Sequence, residues 1–226
     1  MKYEITTKKC ALTEPDAALI IPILFYDNMI RAELPELFSP AEKETLRLLS
    51  SGLPKEEKIK AAVRGFLLYS SGPGYKFDRV VRQHRFVCAS RNHINKSCIN
   101  GDTVEITRDF GRFNIVRKTW QGDDYPYRGT GVVIDGKLVS YCIENSRYHD
   151  SYAETEIGVQ THEAYRRRGY ASSCTALLCS LLLQGKTARI YYNCDSDNEA
   201  SYRTALRAGL EHECEAHYLI FGAAGN

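Results

Sequence analysis

Three consecutive arginines followed by Gly-Tyr-Ala form the segment of this sequence whose residue types and spacing could do chemistry. The segment runs from Arg166 to Ala171 and lies between a predicted strand and a predicted helix. Gly169 can adopt backbone angles closed to other residues and lets the backbone approach a ligand closely. The N-terminus of the following helix offers unpaired N–H groups and the positive end of the helix dipole. These features predict a site for an anion such as pyrophosphate, although a solvated basic turn would have the same composition.

The elements that must position this turn alternate between strands and helices from residue 101 onwards. Asp135-Gly136, between two apolar runs, predicts a β-hairpin with a type I′ turn. The periodicity predicts the order β-β-β-α-β-α-β, with strands at 130–134, 137–143, 155–161, 189–194 and 217–221 and helices at 171–184 and from the capping box at 196–199 to Gly209. A strand–helix–strand crossover implies a mixed, partly parallel sheet with flanking helices. We therefore predict an α/β domain at residues 101–226.

The first hundred residues show helical signals instead. Candidate helix N-termini stand at Thr13, Ser39 and Pro54. The segment after Pro54 carries an amphipathic stripe made of Ile59, Ala62, Val63, Phe66 and Leu67. One more helix is predicted over residues 77–84, where Phe77, Val80, Val81 and His84 repeat the same spacing. We therefore predict a mainly helical region at residues 1–100.

Composition and charge narrow the classes of protein that the chain could belong to. The formal net charge is +2 at pH 7, whereas dedicated nucleic-acid or membrane-surface binders usually carry a strong basic bias. The apolar run 17–25 contains Pro22 and is too short to span a bilayer, and residues 1–4 do not begin a secretory signal. Several of the eight cysteines lie in apolar periodic segments. We therefore expect a cytoplasmic protein with reduced thiols, whose oligomeric state the sequence does not give.

Residues 129–221 resemble the GNAT superfamily of acyl-CoA-dependent N-acetyltransferases. The family signature is Arg or Gln, two residues, Gly, one residue, then Gly or Ala, and residues 166–171 match it in full. Upstream, residues 156–165 resemble the family's fourth strand and approach loop. Downstream, residues 198–210 resemble its second cofactor segment, an Asn-led helix ending in Gly and an apolar residue. The stretches 156–171 and 198–210 are similar to the subgroup that contains zwittermicin A resistance proteins.

The resemblance implies acetyl-CoA as the cofactor and assigns residues to it. In this family the fourth strand diverges from the fifth, and the pantetheine arm enters the gap as a pseudo-strand. By residue match, the backbones of Val159, Gln160 and Thr161 would line that arm, and Asn198 would face the pantetheine or the thioester end. The pyrophosphate would lie on the signature turn, mostly against N–H groups, at Arg166, Arg167, Arg168, Gly169, Tyr170, Ala171 and Ser172.

The implied reaction is direct attack of a neutral amine on the thioester carbonyl, with the N–H of Val159 holding the oxyanion. An ammonium has no lone pair, so a base must first remove its proton. Glu156 matches the glutamate that begins the fourth strand in several family members, and we name it as the candidate base. Glu154 and Glu144 are alternates. A solvated or ion-paired strand residue is the other interpretation of Glu156.

One position departs from the family pattern. Many members carry, seven residues after the Asn, a tyrosine that protonates the leaving thiolate, and this sequence has Ala205 there. Tyr202 lies four residues after Asn198 on the same predicted helix face. We name Tyr202 as the candidate acid, with packing in the core as its alternative role. Tyr218 is a weaker candidate, and water could also serve.

Two other clusters of residues are weaker candidates for a functional site. His84, Cys88, His93 and Cys98 lack the tight ligand pairs of zinc sites, and we predict no metal. The basic stretch 76–96 has interleaved aromatic residues that could contact RNA or an acidic partner, but we interpret it as the solvated basic face of a helix.

Together these features predict an enzyme that moves an acetyl group from acetyl-CoA to a primary amine of a small molecule. The helical region would close one side of the acceptor cleft. One alternative is acetylation of a protein N-terminus or lysine side chain. A second is a non-catalytic acyl-CoA-binding regulatory module, which the missing tyrosine at Ala205 motivates.

Overall fold

The chain divides into two compact units. The structure is a computed structural model that describes residues 2–8, 19–35, 42–69, 75–106, 128–147, 153–185 and 187–223. One unit comprises residues 1–84 with 214–226, and the other comprises residues 85–213. The sequence placed a single boundary after residue 100, whereas the first division that the chain shows falls after residue 84, and residues 214–226, predicted in the second domain, belong with the first unit.

The first unit combines strands with two helices. Its elements are β1 (Lys2–Lys8), β2 (Leu19–Phe25), β3 (Met29–Pro35), α1 (Glu42–Ser50), α2 (Lys55–Tyr69), the first part of β4 (Tyr75–Cys88) and the last part of β10 (Glu211–Ala223). The strand order is β1-β3-β2-β10-β4. β1 is parallel to β3, whereas β2 is antiparallel to both β3 and β10.

Helix α2 covers this sheet with its apolar face. Ile59, Ala62 and Phe66 are buried, as the amphipathic spacing after Pro54 predicts. The Phe66 ring meets the Phe221 ring of β10 edge-on at 6.5 Å. This part of the sequence prediction is confirmed, while the predicted helix starts at Thr13 and Ser39 lie outside the described residues.

The prediction of a mainly helical region at residues 1–100 is wrong. Its described residues contain four strands beside two helices, and residues 77–84, predicted as a helix, belong to β4. Periodicity alone does not distinguish a short apolar run in a helix from one in a strand. Phe77, Val80 and Val81 are aromatic or β-branched residues that pack well on a pleated surface, and β4 pairs with β10.

Pro22 lies inside β2 although it interrupts the apolar run. It pairs in register with Tyr218 of β10, and the register with β3 begins only at Ile23. One edge of β2 therefore has no ladder partner at Pro22 among the described residues. A missing N–H on that edge costs no ladder hydrogen bond, which is the position where strands tolerate proline.

The second unit is a mixed sheet with two helices. Its elements after the end of β4 are β5 (Thr103–Glu105), β6 (Gly129–Ile134), β7 (Lys137–Arg147), β8 (Glu154–Thr161), α3 (Tyr170–Leu182), β9 (Arg189–Asp195) and α4 (Glu199–Ala208). The strand order is β4-β9-β8-β7-β6-β5. β5 to β8 are antiparallel neighbours, whereas β8 and β9 are parallel. The predicted order of elements and the mixed α/β fold class are confirmed.

Local sequence signals account for this unit. Asp135 and Gly136 have φ of 50° and 74°, the two positive values that a type I′ hairpin turn requires. Helix α3 packs Cys174, Leu178 and Leu182 into the core. No helix among the described residues has both the length and the apolar character needed to cross a membrane.

Candidate functional site

Strands β8 and β9 begin as a parallel pair and then diverge. The pairing joins Glu154, Thr155 and Glu156 to Arg189, Ile190 and Tyr191. Both strands continue beyond it, to Thr161 and Asp195, with no further register pair between these described residues. A gap therefore opens between residues 157–161 and residues 192–195.

The backbone of β8 presents polar groups to this gap at alternate positions. At one end, the C=O of Ala153 accepts hydrogen bonds of 2.7 and 2.9 Å from N–H groups at the start of β9. At the other end, the N–H of His162 donates to the C=O of Val139 in β7 at 2.8 Å. Because these groups alternate sides along a strand, the N–H and C=O of Val159 and Thr161 are directed into the gap.

The arginine-rich turn after β8 has an unusual backbone. A short 3₁₀ turn, Glu163–Tyr165, leads into it. Arg167 then has φ of 62° and Gly169 has φ of 81°. Positive φ is uncommon and costly for a residue with a side chain, so the value at Arg167 marks a strained position. Turns in which φ changes sign direct successive N–H groups to one side, where an anion can bind.

Helix α3 begins without a side-chain cap. Its N-cap residue is Gly169, and the N–H of Ser173 makes the first intrahelical bond, of 3.0 Å, to the C=O of Gly169. The N–H groups of residues 170–172 precede that bond and have no acceptor within the helix. In α4, by contrast, Asn198 Oδ1 accepts from the N–H of Ser201 at 3.1 Å. The N-terminus of α3 therefore offers uncapped donors and the positive end of its dipole to a ligand.

One cavity of about 1250 Å³ brings these parts together. Residues 159–161 and 163–172 line one side, and residues 198–201 line the other, together with Tyr192, Arg203, Thr204 and Arg207. Every residue that the sequence analysis assigned to the cofactor lines this cavity. Its volume exceeds the roughly 300–1,000 Å³ of pockets for drug-sized ligands, which suits a long ligand.

Two arginines of the turn are oriented by the protein itself. Arg166 Nε donates to the C=O of Thr161 at 3.4 Å. Arg168 donates a weak bond to the C=O of Ala164 at 3.5 Å, and its guanidinium lies over the Tyr165 ring at 5.3 Å. These contacts fix cations at the rim of the cavity without consuming the backbone N–H groups of the turn.

Helix α4 contributes two more arginines that the sequence analysis missed. Arg203 is paired with Glu199 at 2.7 Å. A guanidinium nitrogen of Arg207 lies 3.4 Å from the point where a Cβ on Gly169 would be. The signal that could have found them is their spacing, since residues 199, 203 and 207 lie on one face of a helix.

Gln160 differs from its two neighbours in β8. The same alternation directs its backbone towards β7, so the structure does not place its N–H and C=O on the gap. Its side chain accepts a hydrogen bond from the Tyr141 hydroxyl at 2.6 Å. Gln160 therefore faces the cavity without offering the backbone contact that the resemblance implied for it.

Glu156 stands at the closed end of the gap. It is the last residue of β8 that pairs with β9, opposite Tyr191, and it is half-buried. Its side chain points to the sheet face opposite that of Ile157, which is buried in the core with residues of α3. Glu156 does not line the described cavity, so a base there would act from the other face of the sheet.

Glu144, named as an alternate base, belongs to the helix-covered face. It is buried and accepts hydrogen bonds from the N–H of Arg128 at 2.8 Å and from the Thr155 hydroxyl at 3.3 Å. Burial raises the pKa of Glu144. These contacts occupy the carboxyl inside the core and favour a structural role. Glu154 shares the opposite face with Glu156.

The structure places Tyr202 in an aromatic cluster. Its ring lies 5.0 Å from the Phe86 ring and 5.9 Å from the His212 ring. Tyr202 is not among the described residues that line the cavity, and this placement favours the core-packing alternative over the acid role. Ala205 is fully buried, so the position that often holds the acid in the family lies in the core of this chain.

A different tyrosine lines the cavity. The hydroxyl of Tyr192, on β9, lies 2.6 Å from the Ser201 hydroxyl on α4. Burial raises the pKa of Tyr192 well above its usual value, which keeps the hydroxyl protonated at neutral pH. This pair joins two elements whose proximity only the fold determines, so no local signal in the sequence predicts it.

The remaining sequence clusters acquire no site. Within the described part of the chain, no group of three or more His, Cys, Asp or Glu side chains could hold a metal ion. Cys88 is buried, and Cys98 Sγ makes a weak contact of 3.6 Å with the C=O of Ser172. Most of the basic stretch 76–96 forms β4 instead of the predicted helix.

Comparison with known proteins identifies the same region. A sequence model of the family described as GNAT acetyltransferase matches residues 82–220, which is more than half of the chain. No curated protein matches the sequence.

Solved structures share the fold at low identity. A GNAT-family protein from Novosphingobium aromaticivorans has a TM-score of 0.51 and 19% identity, over 68% of this chain and 69% of its own. A GCN5-related N-acetyltransferase from Sphaerobacter thermophilus has a TM-score of 0.52 and 10% identity, over 94% of this chain and 62% of its own. The chain thus spans less than two thirds of the second protein, and at these identities the likeness concerns the fold alone.

Proposed function

Because the chain belongs to the GNAT acetyltransferase family, we propose that it transfers an acetyl group from acetyl-CoA to a primary amine of a small molecule. The observation that carries the proposal is the single cavity in which the strand gap, the uncapped N-terminus of α3 and the arginine-rich turn meet. Each part suits a different portion of one elongated anionic ligand. Subgroup membership near zwittermicin A resistance proteins remains part of the proposal.

The fit to coenzyme A rests on donor chemistry. The N–H groups of residues 170–172 and the helix dipole suit a pyrophosphate. The N–H and C=O groups of Val159 and Thr161 form an open strand edge, and the two amides of a pantetheine arm can pair with such an edge. The alternative that the sequence left open is a solvated basic turn. That alternative does not account for an uncapped helix N-terminus that faces a cavity.

When bound, acetyl-CoA supplies an acyl group activated as a thioester. The N–H of Val159, directed into the gap, would stabilise negative charge on the thioester oxygen. Tyr192, protonated and bonded to Ser201 at 2.6 Å, would offer a hydrogen-bond donor near the sulfur in place of the family tyrosine. Alignment of the two reactants in the gap would remove much of the entropy cost of their encounter.

We assign Glu156 as the base that accepts the amine proton, directly or through water. It stands where β8 and β9 separate, on the face opposite α3, so an amine could approach from that face while the donor lies in the cavity. A carboxylate at this point also suits a cationic amine. We propose a small molecule over a protein as the acceptor, a choice that a panel of amines and peptides tests.

Titration calorimetry with CoA and acetyl-CoA tests the cofactor claim. We expect one site per chain, and absence of measurable heat with both ligands would overturn the proposal. A thiol-release assay with acetyl-CoA and a panel of small amines, amino-acid amides and lysine peptides then tests the acceptor class. Turnover with peptides alone would favour the protein acceptor. Binding without turnover on any amine would favour a non-catalytic acyl-CoA-binding module, which the buried Ala205 keeps in consideration.

A further inference from the structure

The side chains that line the cavity carry a net positive charge in addition to the backbone N–H groups of the anion site. Five arginines and two glutamates line it, and one of the glutamates, Glu199, is neutralised by Arg203 at 2.7 Å. Arg166 and Arg168 contact backbone carbonyls at the rim. Neither Arg167, in the turn, nor Arg207, on α4, has a side chain that forms a hydrogen bond or ion pair with the residues that the structure describes, and of the two only Arg207 approaches the turn from another element.

The guanidinium of Arg207 lies directly beside the anion-binding turn. One of its terminal nitrogens is 3.4 Å from the place of a Cβ on Gly169, and its carbon is 3.6 Å from that point. Arg207 is exposed and lines the cavity. It therefore approaches the turn from α4, whereas the uncapped N–H groups belong to α3, so two different elements supply donors for anions at this end of the cavity.

The backbone that carries Arg207 is firmly held. Asn95 Nδ2 donates to the C=O of Arg207 at 3.0 Å, and the N–H of Asn95 donates to the C=O of Ala208 at 3.0 Å. At Gly209, which ends α4, a Cβ would lie only 2.0 Å from the C=O of His93. The end of α4 thus packs tightly on the 93–95 segment. The backbone of Arg207 is held there, and its side chain extends towards the cavity.

We propose that Arg207 binds the phosphate monoester on the ribose of coenzyme A and thereby makes the protein prefer CoA to 3′-dephospho-CoA. The proposal rests on the proposed function. A phosphate monoester carries roughly −1.5 to −2 charges at pH 7. Its oxygens match the planar donors of a guanidinium. The monoester is the anion of CoA that remains once the α3 N–H groups have taken the pyrophosphate.

A role for Arg207 in stabilising α4 has to be distinguished from its role as a phosphate subsite. It lies in the last turn of α4, where a cation interacts favourably with the helix dipole. That role would affect folding, or all ligands equally. A phosphate subsite would affect only the ligand that bears the monoester, so the difference between two ligands distinguishes the roles.

The experiment is calorimetric titration of wild type and Arg207→Gln with CoA and with 3′-dephospho-CoA at low salt. We expect wild type to bind CoA about tenfold more tightly than dephospho-CoA, the scale of one exposed charge-assisted contact. In R207Q we expect the two affinities to differ less than about twofold, while dephospho-CoA binds almost as in wild type. The wild-type preference should also shrink as salt screens the charge.

Arg91→Gln is the matched control. Arg91 is exposed, belongs to the same unit, and is not among the cavity-lining residues. Its removal changes the net charge equally, so R91Q should retain the wild-type preference for CoA. An equal loss of preference in R91Q would assign the effect to bulk charge and overturn the proposal.

Three further results would overturn it. If wild type binds both ligands equally, Arg207 is not a phosphate subsite, although the proposed function stands. If R207Q weakens both ligands by the same factor, Arg207 acts on the pyrophosphate or on the fold. If neither ligand binds wild type, the proposed function fails as well, and the two failures are thereby distinguishable.

Discussion

A guanidinium nitrogen of Arg207 lies 3.4 Å from the position that a Cβ on Gly169 would take, so the glycine of the turn and the arginine of α4 occupy adjoining space. Gly169 also has φ of 81°, a conformation that L side chains rarely adopt. The backbone conformation therefore requires glycine at this position, whereas a Cβ would meet the Arg207 side chain only at ordinary van der Waals distance.

Gly169→Ala should weaken CoA binding by roughly tenfold or more. The added methyl strains the backbone by about 1 kcal/mol, whereas it meets the Arg207 guanidinium only at ordinary van der Waals distance. The strain disturbs the N–H groups at the start of α3. Calorimetry measures the affinity for CoA, and the thermal midpoint of unfolding measures the loss of stability.

Gly136→Ala provides the control for strain alone. Gly136 has φ of 74° in the β6–β7 hairpin, and a Cβ there would meet no atom within 4 Å. We expect a similar loss of stability with unchanged CoA affinity. An equal loss of affinity in both variants would contradict the assignment of Gly169 to the ligand site.

Asn198→Asp should separate helix capping from ligand binding. Asn198 Oδ1 caps the N–H of Ser201 at 3.1 Å, and aspartate caps helices as well as asparagine does. The substitution removes the amide donor and places a carboxylate beside an anionic ligand. We expect thermal stability within about 0.5 kcal/mol of wild type and CoA affinity lowered several-fold.

Asn198→Ala is the companion variant, because it removes the cap and the donor together. It should lose about 1 kcal/mol of stability and part of the CoA affinity. Should N198D bind CoA as wild type does, the only role of Asn198 would be to start α4.

His217 gives the first unit a defined response to acid. It is buried on β10, its ring meets the Phe25 ring at 5.1 Å, and its Nδ1 has no hydrogen-bond partner among the described residues. Burial, together with the charges of Lys55 and Arg82, lowers the pKa of His217 to about 4 against the opposing effect of Glu215 and Glu56. A depressed pKa means that the native state favours the neutral ring.

The stability that depends on neutral His217 is therefore present above pH 6.5 and is lost as the pH falls towards 4. Wild type should lose about 2 kcal/mol of unfolding free energy from this group between pH 7 and pH 5. His217→Leu should lack that component, so the difference between the two proteins should narrow or reverse at pH 5. Urea unfolding at both pH values measures it, and a constant difference would contradict the assignment.

The features that the sequence predicts correctly are those that local chemistry determines. The positive φ values at residues 135–136 and at Gly169 need the residues that stand there. Asn198 caps α4, as the Asn-led helix of the resemblance implied, so the cap that the box at 196–199 placed at Ser196 is wrong by two residues. These signals are short-range, so they are visible without knowledge of the fold. They predicted the elements from residue 129 onwards. The residues assigned to the cofactor line one cavity, and their role in binding it stays a prediction.

The structural features that the sequence did not predict depend on pairing between distant segments of the chain. Residues 77–84 have a spacing compatible with a helix, and only pairing with β10 decides for a strand. Arg207 and Tyr192 enter the cavity because α4 and β9 lie beside the turn. The orientation of the Gln160 backbone follows from the register of β8 with β7, which no local signal specifies.

Glu156→Gln should lower the turnover number by roughly 100-fold or more, the usual contribution of a general base, while CoA binds as in wild type. The amide keeps the size of the side chain but cannot accept the proton of an ammonium. Glu156 lies outside the described cavity lining, which is why CoA affinity should not change.

Glu154→Gln is the matched control, two residues earlier on the same strand and face, and should retain nearly full activity. The measurements are steady-state thiol release with the best amine and calorimetry with CoA. Equal losses of turnover in both variants would show that the acidic face acts through its field, and full activity in E156Q would remove Glu156 as the base.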